Sequence, residues 1–220
     1  MYIKPFAVEE WMNEYEVGAR FNIAETCVDS VSLDELFALT GEDKAQFLTD
    51  FCAKRLTYGD IVGSVAEAQA ADIEHALAAA NAAAPEWAAT PASTRSDALV
   101  HAAALFEREA DTLLALAVRE AGKSWANAVA ELREAVDFLR YYAQQARGFD
   151  AASHVALGPV LCISPWNFPL AIFSGQVAAA LAAGNPVLAK PAEQTPLIAA
   201  FAVRLLHEAG IPPAALQLLP

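Results

Sequence analysis

Between residues 65 and 150, apolar side chains recur at steps of three and four residues, the spacing of amphipathic helices. The pattern predicts a first helix that begins with a cap at Asp72 and runs to about Ala83. Pro85 is expected to end this helix, because proline lacks the N–H group that the next helical turn would use.

Two longer helices are expected to follow. A weak capping box at Thr94 and Asp97 begins the first of them, and Gly122 ends it. Ser124 caps the next helix, which ends in the stretch "YYAQQARG". The positions predicted to be buried are Leu99, Ala103, Phe106, Leu113, Leu116 and Ala117 on the first helix, and Val129, Leu132, Val136 and Leu139 on the second.

From residue 157 onward, short apolar runs replace the helical spacing. The runs "GPVLCIS", "NPVLAKP" and "ALQLLP" are strand-like, and the segments between them are helical, with Thr195 as the cap of the second. Strands that are apolar on both faces and alternate with helices are typical of a parallel sheet covered by helices. The predicted fold class is therefore α/β, a helical part over 65–150 followed by half of a doubly wound parallel sheet, an incomplete Rossmann-like βαβαβ unit, over 157–220.

The composition narrows the choice of partners and compartment. A formal net charge of −13 argues against nucleic acid and anionic membrane as partners. The uncharged run from 151 to 189 is long enough to span a membrane, but prolines divide it into pieces that are too short. The three cysteines are scattered and form neither a disulfide framework nor a metal pair. Because the N-terminus also lacks the features of a secretion signal, we expect a reducing cytoplasm.

Lys190 and Glu193 are the only charged residues between Asp150 and Arg204, and both follow the second predicted strand. Ligands of such sheets bind outside the carboxyl ends of the strands. A carboxylate there accepts hydrogen bonds from the two hydroxyls of a ribose and repels a 2′-phosphate, which favours NAD over NADP. A lysine beside it donates to the same sugar or to a phosphate. The alternative is a solvated lysine beside a carboxylate that merely favours the start of a helix.

Asn167 follows the first predicted strand, in a loop with Pro165 and Pro169 on either side. An amide held rigidly in such a loop is suited to donate a hydrogen bond to a developing oxyanion. The alternative is an asparagine that bonds to its own turn. Cys162 lies inside the strand, so we interpret it as an inert core residue rather than a nucleophile.

The motifs "SPWNFP" and "KPAEQTP", with "LLHEAGIPPAALQLLP" after them, closely resemble the aldehyde dehydrogenase superfamily. The nearest resemblance is to the 1-pyrroline-5-carboxylate (glutamate semialdehyde) dehydrogenase part of bifunctional proline utilization A. It covers about Val65 to Pro220. It implies NAD as the cofactor, a small aldehyde as the substrate, and the oxidation of glutamate semialdehyde to glutamate in proline catabolism.

The resemblance also implies roles for individual residues. Asn167 matches the amide that stabilises the thiohemiacetal oxyanion. Lys190 and Glu193 match the ligands of the adenosine ribose. The wall on the nicotinamide side of the cofactor corresponds to Ile163, Ser164, Pro165 and Trp166.

The family's remaining machinery follows the matched region in its members. The glycine turn and helix that meet the cofactor phosphates come next there, then the glutamate base and the cysteine nucleophile. We therefore expect these 220 residues to form a truncated NAD-binding portion that is catalytically silent alone. A second hypothesis is a non-catalytic chimeric or assembly fragment that self-associates through the open edge of its third strand.

Residues 1–64 differ from the rest of the chain. The stretches "KPFAVEEWMNEYE" and "KRLTYGDIVGS" resemble the start of a fold-type I, pyridoxal-phosphate-dependent aminotransferase, in which Tyr58 matches a tyrosine that contacts the cofactor phosphate. The Schiff-base lysine segment of that family is absent from the chain. A remnant of such an aminotransferase is the third hypothesis, with 1–64 and 65–220 as the two parts of a chimera.

Overall fold

The computed structural model describes residues 32–41, 43–53, 63–150 and 154–220. Within those residues, no helix combines the length and the apolar character that crossing a membrane requires. The chain divides into two units, Met1–Tyr58 and Gly59–Pro220.

The described residues of the first unit form two helices, α1 (Leu33–Thr40) and α2 (Lys44–Ala53). Ser32 and Glu35 form a reciprocal capping box at the start of α1, where the backbone N–H of Ser32 donates to the Glu35 carboxylate at 2.7 Å. Most of the segment that resembles an aminotransferase, including Tyr58, lies outside the described residues.

Four helices precede the sheet in the described part of the second unit, where the sequence predicted three, and the bounds of the first differ from the prediction. This helix, α3, spans Ala70–Ala89. The prediction that Asp72 caps it is wrong: Gln69 is the cap, and the backbone N–H of Gln69 donates to the Asp72 carboxylate at 2.9 Å. The prediction that Pro85 ends the helix is also wrong. The helix continues past the proline for another turn, which places Trp87 in the hydrophobic core.

The predicted second helix is two helices, α4 (Ala92–Arg108) and α5 (Ala110–Ala121). Glu109 has non-helical dihedral angles (φ −95°, ψ 21°) and separates the two helices. The break was not predicted because the buried apolar residues keep the same helical spacing on both sides of Glu109. The predicted capping box at Thr94 is wrong too, since Pro91 is the cap. Gly122, at φ 67°, ends α5 as predicted, and Ser124 caps α6 (Trp125–Ala146) by accepting from the N–H of Asn127.

The rest of the unit is the predicted βαβαβ succession. It consists of β1 (Val160–Ile163), α7 (Ala171–Ala182), β2 (Val187–Lys190), α8 (Pro196–Glu208), a short 3₁₀ helix (Pro213–Ala215) and β3 (Leu216–Leu218). The strands form one parallel sheet in the order β1-β2-β3. The α/β fold class is therefore confirmed.

The expectation that every strand is apolar and buried on both faces is wrong for β1. Leu161 and Ile163 are 56% and 60% exposed, whereas Cys162 between them is buried. Side chains alternate between the two faces of a strand, so only one face of β1 is covered within the described residues. β2 is buried from Val187 to Ala189. Both β1 and β3 are edge strands of this sheet, and β1 has the more exposed side chains of the two.

The core lies between the helical layer and the sheet, and two residues set how closely the layers approach. A Cβ atom at Gly175 of α7 would come within 2.9 Å of the Phe138 ring on α6, so glycine permits this close contact. Arg95 of α4 is buried and donates to the carbonyl of Ala182, at the end of α7, at 3.1 Å, and to the carbonyl of Thr90. Its burial lowers the pKa of the guanidinium.

Candidate functional site

The carboxyl ends of β1 and β2 lie side by side because the two strands are parallel neighbours. Ile163 is the register partner of Lys190. The next residue, Ser164, continues the pairing: its backbone N–H donates to the carbonyl of Lys190 at 3.1 Å, and its hydroxyl donates to the same oxygen at 3.4 Å. The fold thus brings Ile163, Ser164 and Lys190 together at one edge of the sheet.

Lys190 and Glu193 form an ion pair at this edge. The ammonium of Lys190 lies 2.5 Å from the Glu193 carboxylate and also donates to the carbonyl of Pro191 at 3.1 Å. The hydrogen bond from Lys190 lowers the pKa of Glu193, with smaller contributions from a backbone hydrogen bond and the lysine charge. Glu193 is exposed and Lys190 half-buried. The pair therefore offers an ionised, accessible carboxylate beside a cation.

The loop after β1 exposes its central residues and buries its ends. Trp166, Asn167 and Phe168 are exposed, whereas Ser164 before them and Pro169 after them are buried. Among the described residues, the Asn167 side chain has no hydrogen-bond partner, so its amide is available to a ligand. No hydrogen bond joins Asn167 to the Lys190–Glu193 pair within the described part of the chain.

Glu131 supports the far end of this loop from α6. Helix α7 begins after Leu170, whose side chain cannot cap it, and the backbone N–H groups of Leu170 and Ala171 donate instead to the Glu131 carboxylate, at 2.8 and 3.2 Å. The other oxygen of Glu131 lies 2.6 Å from the ammonium of Lys123. That ammonium also lies 4.2 Å from the centre of the Phe168 ring.

Glu120 supports the second loop in the same way from α5. The predicted cap, Thr195, makes no capping hydrogen bond with its side chain. The backbone N–H groups of Leu197 and Ile198 donate instead to the two oxygens of Glu120, at 2.7 and 2.9 Å. Burial raises the pKa of Glu120, and the two backbone hydrogen bonds partly offset this rise.

The two carboxylates bear directly on cofactor binding. In many nucleotide-binding folds the N-terminus of the helix after the first strand binds a phosphate. Here the first amides of α7 and α8 already donate to Glu131 and Glu120. Among the described residues, the starts of α7 and α8 are therefore poorly suited to bind a pyrophosphate.

The position of Cys162 in the structure agrees with its interpretation as a core residue. Its side chain is buried, and burial raises the pKa of the thiol to about 11. A thiol with this pKa is almost entirely protonated at neutral pH, and the thiolate is the nucleophilic form.

Glu120, Lys123 and Glu131 were not among the residues predicted from the sequence. One signal could have found Glu131: it lies three residues after Ala128 and four before Ala135, on the buried face of α6. A carboxylate on such a face requires a partner. Nothing comparable marks Glu120, because its partners are 77 and 78 residues away along the chain.

Comparison with known proteins identifies a family that the chain matches. The model of the aldehyde dehydrogenase family matches residues 52–220. The match includes residues 52–64, which the sequence analysis assigned to the aminotransferase-like segment, and that assignment is not supported.

Curated relatives and solved structures agree with the family match. The chain is 62% identical over 162 residues to the bifunctional protein PutA of Klebsiella aerogenes, which covers 73% of this chain and 12% of that protein. It is 41% identical over 174 residues to the 1-pyrroline-5-carboxylate dehydrogenase of Anoxybacillus flavithermus, which covers 73% of this chain and 34% of that protein. The structure of a 1-pyrroline-5-carboxylate dehydrogenase from Thermus with bound NAD superposes with a TM-score of 0.69 at 40% identity, covering 70% of this chain and 33% of that one.

The chain thus spans about an eighth of the length of the PutA relative and about a third of the dehydrogenase relative. The matched region contains both loops at the edge of the sheet and both carboxylates that cap the helices after them. The chain belongs to the aldehyde dehydrogenase family.

Proposed function

We propose that the chain forms the NAD-binding portion of a dehydrogenase that oxidises glutamate semialdehyde to glutamate. The proposal draws on the names of the relatives, which are PutA and 1-pyrroline-5-carboxylate dehydrogenases, and on the NAD bound in the Thermus structure. The observation that carries it is the Lys190–Glu193 pair at the edge of the parallel sheet. When bound there, NAD accepts a hydride from the substrate.

Glu193 is the proposed ligand of the adenosine ribose. Its lowered pKa keeps the carboxylate ionised at neutral pH, and an exposed carboxylate accepts hydrogen bonds from both ribose hydroxyls. Lys190 orients the carboxylate and donates to the same sugar. A 2′-phosphate at this position would face the negative charge of Glu193, so the site is expected to prefer NAD to NADP.

The loop after β1 is proposed to serve the reacting end of the cofactor. The residues proposed to form the wall on the nicotinamide side are Ile163, Ser164, Pro165 and Trp166, of which Ile163 and Trp166 are exposed. Asn167 is the proposed oxyanion donor: its free amide would donate a hydrogen bond to the negative oxygen that forms when the aldehyde is attacked. An aldehyde is therefore the proposed substrate class.

Calorimetric titration of the purified chain with NAD tests the proposal. We expect saturable binding of NAD, weaker binding of NADP, and a roughly tenfold loss of NAD affinity in Glu193→Ala, because hydrogen bonds to a charged acceptor are lost. Glu74→Ala is the matched control, since Glu74 is an exposed carboxylate on α3. No binding by the folded chain, or equal losses in the two variants, would contradict the assignment of the ribose site.

The absence of aldehyde oxidation by these 220 residues alone remains a prediction. Incubation of the purified chain with NAD and glutamate semialdehyde measures it directly. We expect no NADH above background, since the proposed machinery at this edge of the sheet consists of an oxyanion donor and cofactor ligands. Steady formation of NADH would show that the prediction is wrong.

A second candidate is self-association through β1. The exposed side chains of Leu161 and Ile163 on an edge strand favour it, because an unpaired apolar strand edge is a template for pairing with another chain. The proposed occupant is a second copy of this chain. Light scattering should show a mass that rises with concentration and falls in Ile163→Lys. A constant monomer mass would contradict this candidate.

The cytoplasm remains the proposed compartment. It rests on the scattered cysteines and on the free thiol of Cys162. Localisation of a tagged chain in fractionated cells would test it, and recovery in a secreted or membrane fraction would contradict it.

A further inference from the structure

The loop that carries Asn167 is held at both ends by buried polar contacts. At its start, Ser164 donates twice to the carbonyl of Lys190. At its end, the N–H groups of Leu170 and Ala171 donate to Glu131. Between these two supports the loop exposes its central residues, so the direction of the Asn167 amide depends on how firmly the two ends are held.

The support at the end of the loop is a buried ion pair rather than a single cap. Glu131 is 1% exposed and Lys123 is 11% exposed, and 2.6 Å separates their charged groups. Lys123 also reaches forward to the ring of Phe168, the residue directly after Asn167. The pair therefore contacts the chain on the C-terminal side of Asn167 at two places, the ring of residue 168 and the amides of residues 170 and 171.

A buried ion pair adds little net stability to a fold, because removing two charges from water costs free energy. Apolar residues of similar size often stabilise the fold equally well. In addition, the pair fixes the orientation of the groups around it. One carboxylate oxygen of Glu131 accepts from two backbone amides, and the other contacts the ammonium of Lys123. An oxyanion donor is effective only when it is fixed before the charge develops.

We propose that Glu131 and Lys123 are positioning residues that hold the Asn167 amide in the orientation required of an oxyanion donor. The inference rests on the proposed function, in which Asn167 is that donor. Neither residue is proposed to touch the substrate or the cofactor. Both act through the loop, Glu131 through the start of α7 and Lys123 through Phe168.

Glu120 supplies a matched control within the same chain. It also caps a helix, α8, by accepting from two backbone amides, one on each carboxylate oxygen, but it supports the loop after β2, which does not contain Asn167. A general loss of helix capping would therefore appear in both variants. Loss of positioning at Asn167 would appear only when the Glu131–Lys123 pair is changed.

The test compares Glu131→Gln, Glu120→Gln and the double variant Glu131→Gln/Lys123→Met with the unchanged chain. Nuclear magnetic resonance records two quantities, the exchange rates of the backbone amides and the side-chain resonance of Asn167 in chains labelled with ¹⁵N-asparagine. Asn167→Ser identifies that resonance by its disappearance. Urea denaturation of each variant gives the global stability, against which local changes are judged.

In Glu131→Gln we expect roughly tenfold faster exchange at Leu170 and Ala171, because the loss of a helix cap typically costs about 1 kcal/mol. We also expect the Asn167 side-chain resonance to shift. Exchange at Leu197 and Ile198 should rise by no more than the loss of global stability explains. Glu120→Gln should give the reverse pattern. In the double variant the urea midpoint should move back toward that of the unchanged chain, because no unpaired buried charge remains, while the Asn167 resonance stays shifted.

An unchanged Asn167 resonance in Glu131→Gln would overturn the proposal, as would an equal shift in Glu120→Gln. Exchange at Leu170 and Ala171 that rises by no more than the lost global stability explains would also overturn it, since that pattern marks a purely structural role. If Glu131→Gln does not fold, the double variant decides by the same criteria. None of these measurements uses NAD, so a failure to bind NAD would count against the proposed function and leave this test intact.

Discussion

The loop after β1 and the loop after β2 reach the same edge of the sheet, yet they are built in opposite ways. The first has buried ends and an uncharged, exposed centre, and its supporting carboxylate, Glu131, is buried with Lys123. The second carries its charged groups, Lys190 and Glu193, at the surface, and its supporting carboxylate, Glu120, is half-buried. Both loops enter a helix whose first amides donate to a carboxylate of the helical layer.

The difference matches the different demands of the two proposed tasks. An oxyanion donor must be a neutral amide in a fixed direction, which buried supports provide. A ribose ligand must be an ionised carboxylate that solvent and ligand can reach, which a surface ion pair provides. Changes at the first loop are therefore expected to cost stability, whereas changes at the second are expected mainly to alter ligand binding and pH dependence.

The largest effect is expected for Glu131→Ala. The substitution leaves Lys123 charged and without its partner and removes the cap of α7. We expect a loss of about 3–5 kcal/mol in the free energy of unfolding, measured in urea. Glu134→Ala, an exposed position on the same helix, should change it by less than about 0.5 kcal/mol. Similar values for the two variants would remove the contrast between the loops.

Gly175→Val tests the packing that brings α6 within reach of the first loop. A Cβ atom there would lie 2.9 Å from the Phe138 ring, so the two helices must move apart. We expect a loss of roughly 1–3 kcal/mol in the free energy of unfolding, the usual cost of overpacking. Gly148→Ala is the control, because its Cβ would meet only the carbonyl oxygen of Gln145, at 3.5 Å. A Gly175 variant as stable as this control would mean that the helices do not need to approach so closely.

Glu120 should make the stability depend on pH. Its pKa is raised in the folded protein, chiefly by burial, so the folded state holds the proton more tightly than the unfolded state. Its contribution is therefore fully present below the ordinary value of 4.5 and is lost as the pH rises through the raised pKa. In urea titrations at a series of pH values, the unchanged chain should lose stability relative to Glu120→Gln as the pH rises. A constant difference would show that the carboxyl is not perturbed by folding.

Glu193 should show the opposite sign and the smallest effect. Its pKa is lowered in the folded protein, chiefly by the hydrogen bond from Lys190, so its contribution is present above the ordinary value of 4.5 and is lost as the pH falls through the lowered pKa. Because the pair is exposed and screened by salt, we expect Glu193→Gln to leave the urea midpoint almost unchanged at neutral pH. A large loss of stability would mean that the second loop, like the first, depends on a structural ion pair.

The local elements were predictable because their signals lie within a few residues. Gly122 with its positive φ, Ser124 with its capping bond and the three short apolar strands all follow from neighbouring residues. The predicted end of α3 at Pro85 was wrong, because the burial of Trp87 in the next turn compensates for the backbone hydrogen bond that proline cannot form.

The supports of the candidate site were not predictable in this way. The amides that Glu131 caps are 39 and 40 residues away along the chain, and only the folded layers bring them together. The sequence could place Asn167, Lys190 and Glu193 at or just beyond the carboxyl ends of their strands, and parallel strands end at the same edge. It could not reveal which helix holds each loop.

The most direct test of the account is a titration of the ¹⁵N-labelled chain with NAD, followed by nuclear magnetic resonance. The account predicts saturable shifts at the carboxyl ends of both strands, in residues 163–168 and 190–194, with Ile73 and its neighbours on α3 unaffected. The result that would contradict it is the absence of saturable shifts at these two loops. Shifts confined to another surface, such as the groove of about 530 Å³ lined by Arg133 and Tyr141 on α6, would contradict it equally.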